Sequence, residues 1–253
     1  MSCDCGDCLP ATTRRQFLAT AALAATGLGL SISGSSARAF AEPHITRVTK
    51  YLDVFPRATW GAKLPPRQGL RPETSVKFLL VHHTAASNSY KQTQVAQQIQ
   101  SIYQFHTGSK KWADVCYNFF VDRFGGVWEG RAGSLVGPVE ADATGGSQGF
   151  AQLVCLLGNF ETTRPPAVMV ESCAKVLGWL ANRYQIELDQ KKTVEFVSRG
   201  SNKWKAGTKV IARPISGHRD MSATLCPGKF VYPQLETEIP RLAISFKSQI
   251  SKA

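Results

Sequence analysis

The run Val76–Val81 (VKFLLV) has the length of a β-strand but lacks the alternation of a strand with one wet face, so both of its faces must be covered. A second run, Gln152–Leu157 (QLVCLL), reads the same way. Doubly covered strands call for layers on either side of a sheet, and the chain supplies them. Val95, Ile99, Ile102 and His106 recur at helical spacing in a Gln-rich segment. So do Val170, Cys173, Ala174, Leu177 and Ala181, and then Leu235, Ile239, Leu242, Phe246 and Ile250, this last helix being entered near Pro240. Val115–Val121 and Val127–Glu129, joined across Gly125-Gly126, have the form of a hairpin. The alternation of strands and helices predicts an α/β single domain, a central mixed β-sheet flanked by α-helices.

Residues 1–41 differ in kind from the rest. Arg14-Arg15 precedes an apolar stretch from Phe17 to Leu30, and Ala37-Arg38-Ala39 and Ala39-Phe40-Ala41 both offer small-x-small cleavage patterns. This is the form of a twin-arginine signal peptide, which exports folded proteins; an uncleaved anchor is the alternative. Cys3, Cys5 and Cys8 lie upstream of the arginine pair, one ligand short of a closed metal site. The remainder, 42–253, has no repeat or linker and is read as one domain. No apolar run reaches the roughly 20 residues of a membrane-spanning helix. Hydrophobic residues are 43% of the chain, which excludes disorder, and seven Cys in 253 residues exclude a disulfide scaffold. The net charge of +12 stays close to that value without residues 1–41, so the basicity belongs to the domain and implies an anionic partner. Nucleic acid is the generic candidate for such a partner, but no helix-turn-helix, zinc-finger or aromatic RNA-binding pattern accompanies the charge.

The residues able to do chemistry cluster in a few places. His82 and His83 end the first apolar strand, and alternation sends their side chains to opposite faces. His218 lies in Gly217-His218-Arg219-Asp220, and Cys226 follows in Cys226-Pro227-Gly228. Two imidazoles and a thiolate are three zinc ligands, which leaves the fourth tetrahedral position open, as catalytic sites require. Two other readings stand beside it: hydrogen-bonded core histidines, and Cys226 as a nucleophile with His218 as its base. The segment Ser198–Gly207 (SRGSNKWKAG) reads as a surface loop, in which Lys203-Trp204-Lys205 either forms a contact surface or covers a packed Trp.

Four motifs occur in order: Val81-His82-His83-Thr84-Ala85, Tyr117-Asn118-Phe119-Phe120-Val121-Asp122, Trp128-Glu129-Gly130-Arg131-Ala132-Gly133, and Gly217-His218-Arg219-Asp220 with Cys226-Pro227-Gly228. Together with Pro56-Arg57-Ala58-Thr59-Trp60-Gly61-Ala62 they resemble the peptidoglycan recognition protein family, in its bacterial secreted branch related to the phage-lysozyme-type N-acetylmuramoyl-L-alanine amidases. The resemblance runs over about 55–242. It implies a Zn2+ ion held by His82, His218 and Cys226, with Tyr117 as the catalytic tyrosine and Thr224 as a transition-state contact. It further implies hydrolysis of the amide between N-acetylmuramic acid and L-alanine. Family members that only bind peptidoglycan have usually lost the Cys or the first His, and this chain keeps both. A non-catalytic peptidoglycan-binding module is the alternative function.

Smaller expectations concern the substrate. Arg131 pairs either with a stem-peptide carboxylate or with Glu129, which is also the nearest carboxylate to a general base. Asn118 and Asn159 bond substrate amides or serve the fold. His106 packs in its helix or lines the cleft, and His83 lies behind the ligands. Cys116 faces away from the site, and Cys155 and Cys173 are available for pairing. The expected partner is peptidoglycan, met outside the cytoplasm by a monomer with no integral membrane segment after signal cleavage.

Overall fold

The computed structural model describes residues 45–252, so the twin-arginine segment and Cys3, Cys5 and Cys8 lie outside the described residues. Two short strands, β1 (Thr46–Thr49) and β2 (Leu52–Val54), pair antiparallel and lead into the short helix α1 (Ala58–Gly61). Next come β3 (Phe78–His83), α2 (Val95–Gln104) with a wide π-turn over Phe105–Ser109, β4 (Phe119–Val121), β5 (Val127–Glu129) and β6 (Ala151–Leu156). The long helix α3 (Ala167–Arg183) is followed by the antiparallel pair β7 (Val194–Val197) and β8 (Lys209–Ala212). The chain ends with β9 (Ile215–Gly217), α4 (His218–Met221) and α5 (Glu238–Ser251).

The central sheet has five strands in the order β5-β4-β6-β3-β9. Its inner pairs are parallel, and β5 alone runs antiparallel at the edge. The mixed sheet expected from the sequence is thus present, and β3 and β6, the two uninterrupted apolar runs, are its central strands. All twelve of their residues are buried, which is why neither run could afford alternation.

Alternation reappears in which layer each residue meets. Leu79, Val81, Val154 and Leu156 join the core beneath α3 and α5, whereas Phe78, Leu80, Leu153 and Cys155 join the core beneath α2 and the β7–β8 hairpin. By the same parity His82 belongs to the α2 side and His83 to the α3 side. Helix α3 buries eleven residues because it is sandwiched between the sheet and α5. Gly178 permits that approach: a Cβ there would stand 2.7 Å from the Ala243 carbonyl oxygen and 3.1 Å from Lys247 N on α5.

Two expectations need correction. The strand predicted over Val115–Val121 is only Phe119–Val121, so alternation does not set the direction of Cys116, whose Sγ lies 3.8 Å from His106 Nε2. Cys155 and Cys173 are both free and lie in the cores on opposite faces of the sheet, where no bond can join them.

Candidate metal centre and cleft

The C-terminal end of β3 delivers His82, and β9 runs straight into α4, whose first residue is His218. Since β3 and β9 are parallel neighbours, both histidines emerge at the same end of the sheet. Their rings lie 4.3 Å apart between centroids. Cys226 arrives from the loop after α4. That loop is tied back by the Arg219 N–H to the Cys226 carbonyl (3.0 Å) and by the Arg219 guanidinium, which donates to the Leu225 carbonyl. Asp220 fastens the other side, accepting from Gly217 N at 2.8 Å and from the Tyr232 hydroxyl at 2.5 Å. Arg219 and Asp220 are therefore the braces of the His218–Cys226 loop, a role that motif spacing alone did not reveal.

One donor atom each from His82, His218 and Cys226 lies within 4.8 Å of the other two, and all three residues are buried. Cys226 Sγ is 3.7 Å from His82 Nδ1. Tetrahedral zinc with ordinary Zn–N and Zn–S lengths sets such ligand atoms about 3.6 Å apart. The set of two nitrogens and one sulfur suits a borderline-soft divalent ion. The residues present therefore fit a zinc ion.

The electrostatics agree. Burial, reinforced by His218 and His83, holds the His82 imidazole well below its ordinary pKa. Burial alone brings His218 down to about 4. Both rings are thus neutral at pH 7, the form that binds a metal. The backbone N–H of His83 donates to Cys226 Sγ at 3.3 Å, a hydrogen bond that steadies a thiolate. The His83 ring itself points to the other face, where Nδ1 accepts from Phe160 N at 3.1 Å, and burial takes it to a pKa of about 3.

Tyr117 packs at a tilt against His82 (5.1 Å between ring centroids) and edge-on to His106 (5.7 Å), which puts its ring beside the metal set. Sequence reasoning passed over Cys155 in this respect. Cys155 is the register partner of His82 on β6, its thiol takes a hydrogen bond from Tyr117, and burial followed by the nearby Cys226 pushes its pKa well up. The register of the parallel pair is the signal that could have found it. His106 accepts from Cys116 N at 3.2 Å and packs on Trp112, so it supports the wall behind Tyr117.

A cleft of roughly 330 Å³ opens beside the metal set, lined by His218 and Thr224 together with Trp112, Asp142, Thr144 and Gln148. Thr224 is half-buried, and its Oγ1 accepts from Cys226 N at 3.2 Å. Arg131 does not pair with Glu129: its Nη1 donates to Asp142 at 2.5 Å and to the Val115 carbonyl at 3.1 Å. Glu129 accepts the backbone N–H groups of Arg57 and Leu135, which removes it from any role as a base. Asn118 is fully buried; its amide donates to Ser134 Oγ and the Val139 carbonyl and its Oδ1 accepts from Leu153 N, so it stitches strands together. Asn159 closes its own turn by accepting from Glu161 N. Trp204 is half-buried with its indole N–H on the Asp220 carbonyl at 2.9 Å, so the 198–207 loop covers a packed Trp.

Residues 72–229, more than half of the chain, match the N-acetylmuramoyl-L-alanine amidase family. The chain belongs to that family. Among curated relatives it is 26% identical over 211 residues to peptidoglycan-recognition protein SD of Drosophila melanogaster, covering 83% of this chain and 95% of the relative. It is 25% identical over 191 residues to mouse peptidoglycan recognition protein 1, covering 73% and 86%. Among solved structures, Drosophila peptidoglycan recognition protein SD superposes with a TM-score of 0.56 at 19% identity, over 73% of this chain and 93% of the other. The N-acetylmuramoyl-L-alanine amidase LysC of Clostridium intestinale gives 0.51 at 17% identity, over 70% and 93%. Peptidoglycan recognition protein LE, solved with tracheal cytotoxin, a monomeric diaminopimelic acid-type peptidoglycan, gives 0.56 at 23% identity over 72% and 91%. At these identities the structures establish a shared fold. Among the described residues no helix is long and apolar enough to cross a membrane.

Proposed function

We propose that this family member is an exported, monomeric, zinc-dependent amidase that hydrolyses the amide bond between N-acetylmuramic acid and L-alanine in peptidoglycan. One observation carries the reading: the complete set His82, His218 and Cys226, buried beside Tyr117, borders an open cleft through His218. A purely structural metal site would be closed by a fourth protein ligand, and among the described residues no fourth His, Cys, Asp or Glu joins this group.

His82, His218 and Cys226 would hold the zinc, which when bound supplies the Lewis acidity that activates water and polarises an amide carbonyl. The chain's own residues do the rest. The neutral imidazoles and the thiolate, steadied by the His83 N–H, would offset the charge of such an ion only in part. Turned from Cys155, the Tyr117 hydroxyl would donate to the oxygen that gains charge as the amide carbon becomes tetrahedral. Thr224 Oγ1 already accepts from Cys226 N, so its O–H is left to donate toward the cleft. Glu129, engaged by two backbone amides, takes no part as a base in this scheme.

The net positive charge would hold the protein near the carboxylates of stem peptides and of anionic wall polymers. The reading is tested by incubating the purified chain with insoluble peptidoglycan, with and without zinc and with a chelator. New L-alanine amino termini without new reducing sugars, lost on chelation, are the expected result. Co-sedimentation with the wall and no release at any zinc concentration would replace the enzyme with a binding module.

A further inference from the structure

The cleft beside His218 and Thr224 has a wall whose chemistry the amidase reading does not use. Among the described residues lining it, Asp142 is the one Asp, Glu, Lys or Arg. This is notable in so basic a chain. Asp142 has 30% of its side chain exposed, and Arg131, whose side chain is only 6% exposed, holds Oδ2 at 2.5 Å from the protein side. Arg131 Nη1 is thereby engaged behind the carboxylate, its Nε stays buried without a partner, and the group turned to a ligand is the carboxylate. Among the described residues the hydrogen bond to Asp142 is the one that Arg131 makes to Oδ2. Two further acceptors stand on the same loop: Thr144 Oγ1 and Gln148 Oε1 are both buried without a hydrogen-bond partner, and both residues line the cleft. Thr144 as a whole is 1% exposed.

The loop holds this arrangement firmly. Gly146 has φ +87°, and a Cβ on it would come within 2.6 Å of Ser198 Oγ, so the segment is seated tightly against the start of the 198–207 loop. Unpaired buried acceptors on a seated loop cost stability unless a ligand satisfies them. A carboxylate, an amide and a hydroxyl oxygen match the three donors of an ammonium group, and they would repel a carboxylate.

We propose that Asp142, Thr144 and Gln148 form a subsite for a primary ammonium group on the peptide of the ligand. The proposal rests on the peptidoglycan reading above and deepens it: the protein selects stem peptides whose basic side chain is free over those in which that amine is acylated, as it is in a cross-link. Arg131 is a positioning residue here, acting through Asp142.

The test uses two N-acetylmuramoyl pentapeptides that differ only in whether their lysine is free or Nε-acetylated, with binding followed by calorimetry on the full chain. The free-amine compound should bind about tenfold tighter, close to 1.4 kcal/mol. Asp142→Asn should bring the ratio to about one. Thr144→Val removes a hydroxyl that no protein group uses, so it leaves the fold intact, and it should cut the ratio severalfold. Equal binding of the two compounds by the unsubstituted chain, or an unchanged ratio in both variants, would overturn the subsite. Binding is read whether or not the ligand is cut, so a tenfold preference without hydrolysis would retain the subsite and remove the amidase reading. Binding of neither compound would remove both.

Discussion

The two ends of the central sheet bury polar groups in opposite ways. At the C-terminal end of β3, His82, His218 and Cys226 meet with one ring nitrogen of His82 unpaired and a cleft alongside. At the N-terminal end, Glu73 is 4% exposed, and its carboxyl is closed off by Ala151 N at 2.9 Å and by the Gln152 amide. Burial drives both sets toward their neutral forms: the His218 pKa falls to about 4, and that of Glu73 rises to about 8. The consequences differ because of what the neutral form can do. A neutral imidazole has a lone pair to give a metal, whereas a protonated carboxyl only completes a local hydrogen-bond set. The same desolvation thus makes a candidate centre at one end and a structural plug at the other.

The sharpest way to break this contrast is Cys226→Ser, which should reduce amide hydrolysis to background and lose the bound zinc, read as metal per chain and as new L-alanine amino termini. Wall binding should change little. At the opposite end, Glu73→Gln should act on stability and leave zinc content alone. The folded-state pKa of Glu73 lies above its ordinary 4.5, so between pH 4.5 and 8 the unfolded chain releases a proton that the folded chain keeps. Stability therefore falls as pH rises through that window, by about 3 kcal/mol at pH 7. The Gln variant should lose this slope, which denaturant midpoints at pH 5 and pH 7.5 would reveal; an unchanged slope would place the pH dependence elsewhere.

Two smaller effects sharpen the comparison. Tyr117→Phe should lower kcat about a hundredfold while zinc stoichiometry stays the same, separating the phenol's work from the metal's. Gly178→Ala lies at neither end. Its Cβ would press on the α5 backbone, so it should cost about 1–3 kcal/mol in thermal or denaturant unfolding without touching the hydrolysis of the remaining folded protein.

Much of the fold was legible because burial leaves a periodic trace. The uninterrupted runs at 76–81 and 152–157 mark the two central strands within two residues, and the apolar positions expected for α3 all lie in that helix, while His106 falls in the π-turn after α2 and Leu235 just before α5. Short elements were less legible. Tyr117 lies outside the strand expected to carry it, since the segment before Phe119 bends to pack on His106. The candidate ligands His82, His218 and Cys226 were legible through their motifs, but substrate contacts were not. Arg131 gave no sign of choosing Asp142, eleven residues on, over Glu129, two residues back.

The amino-acid sequence by itself determined the layer order, the parity that separates His82 from His83, and the residue types available for a metal, because each depends on local periodicity and composition. Only the tertiary structure decided that Arg131 pairs with Asp142, that Asn118 is enclosed, that Cys155 joins Tyr117, and that Thr144 and Gln148 face the cleft without partners. Those outcomes turn on which hydrogen-bond partners distant segments bring within about 3 Å, and no spacing along the chain encodes that distance.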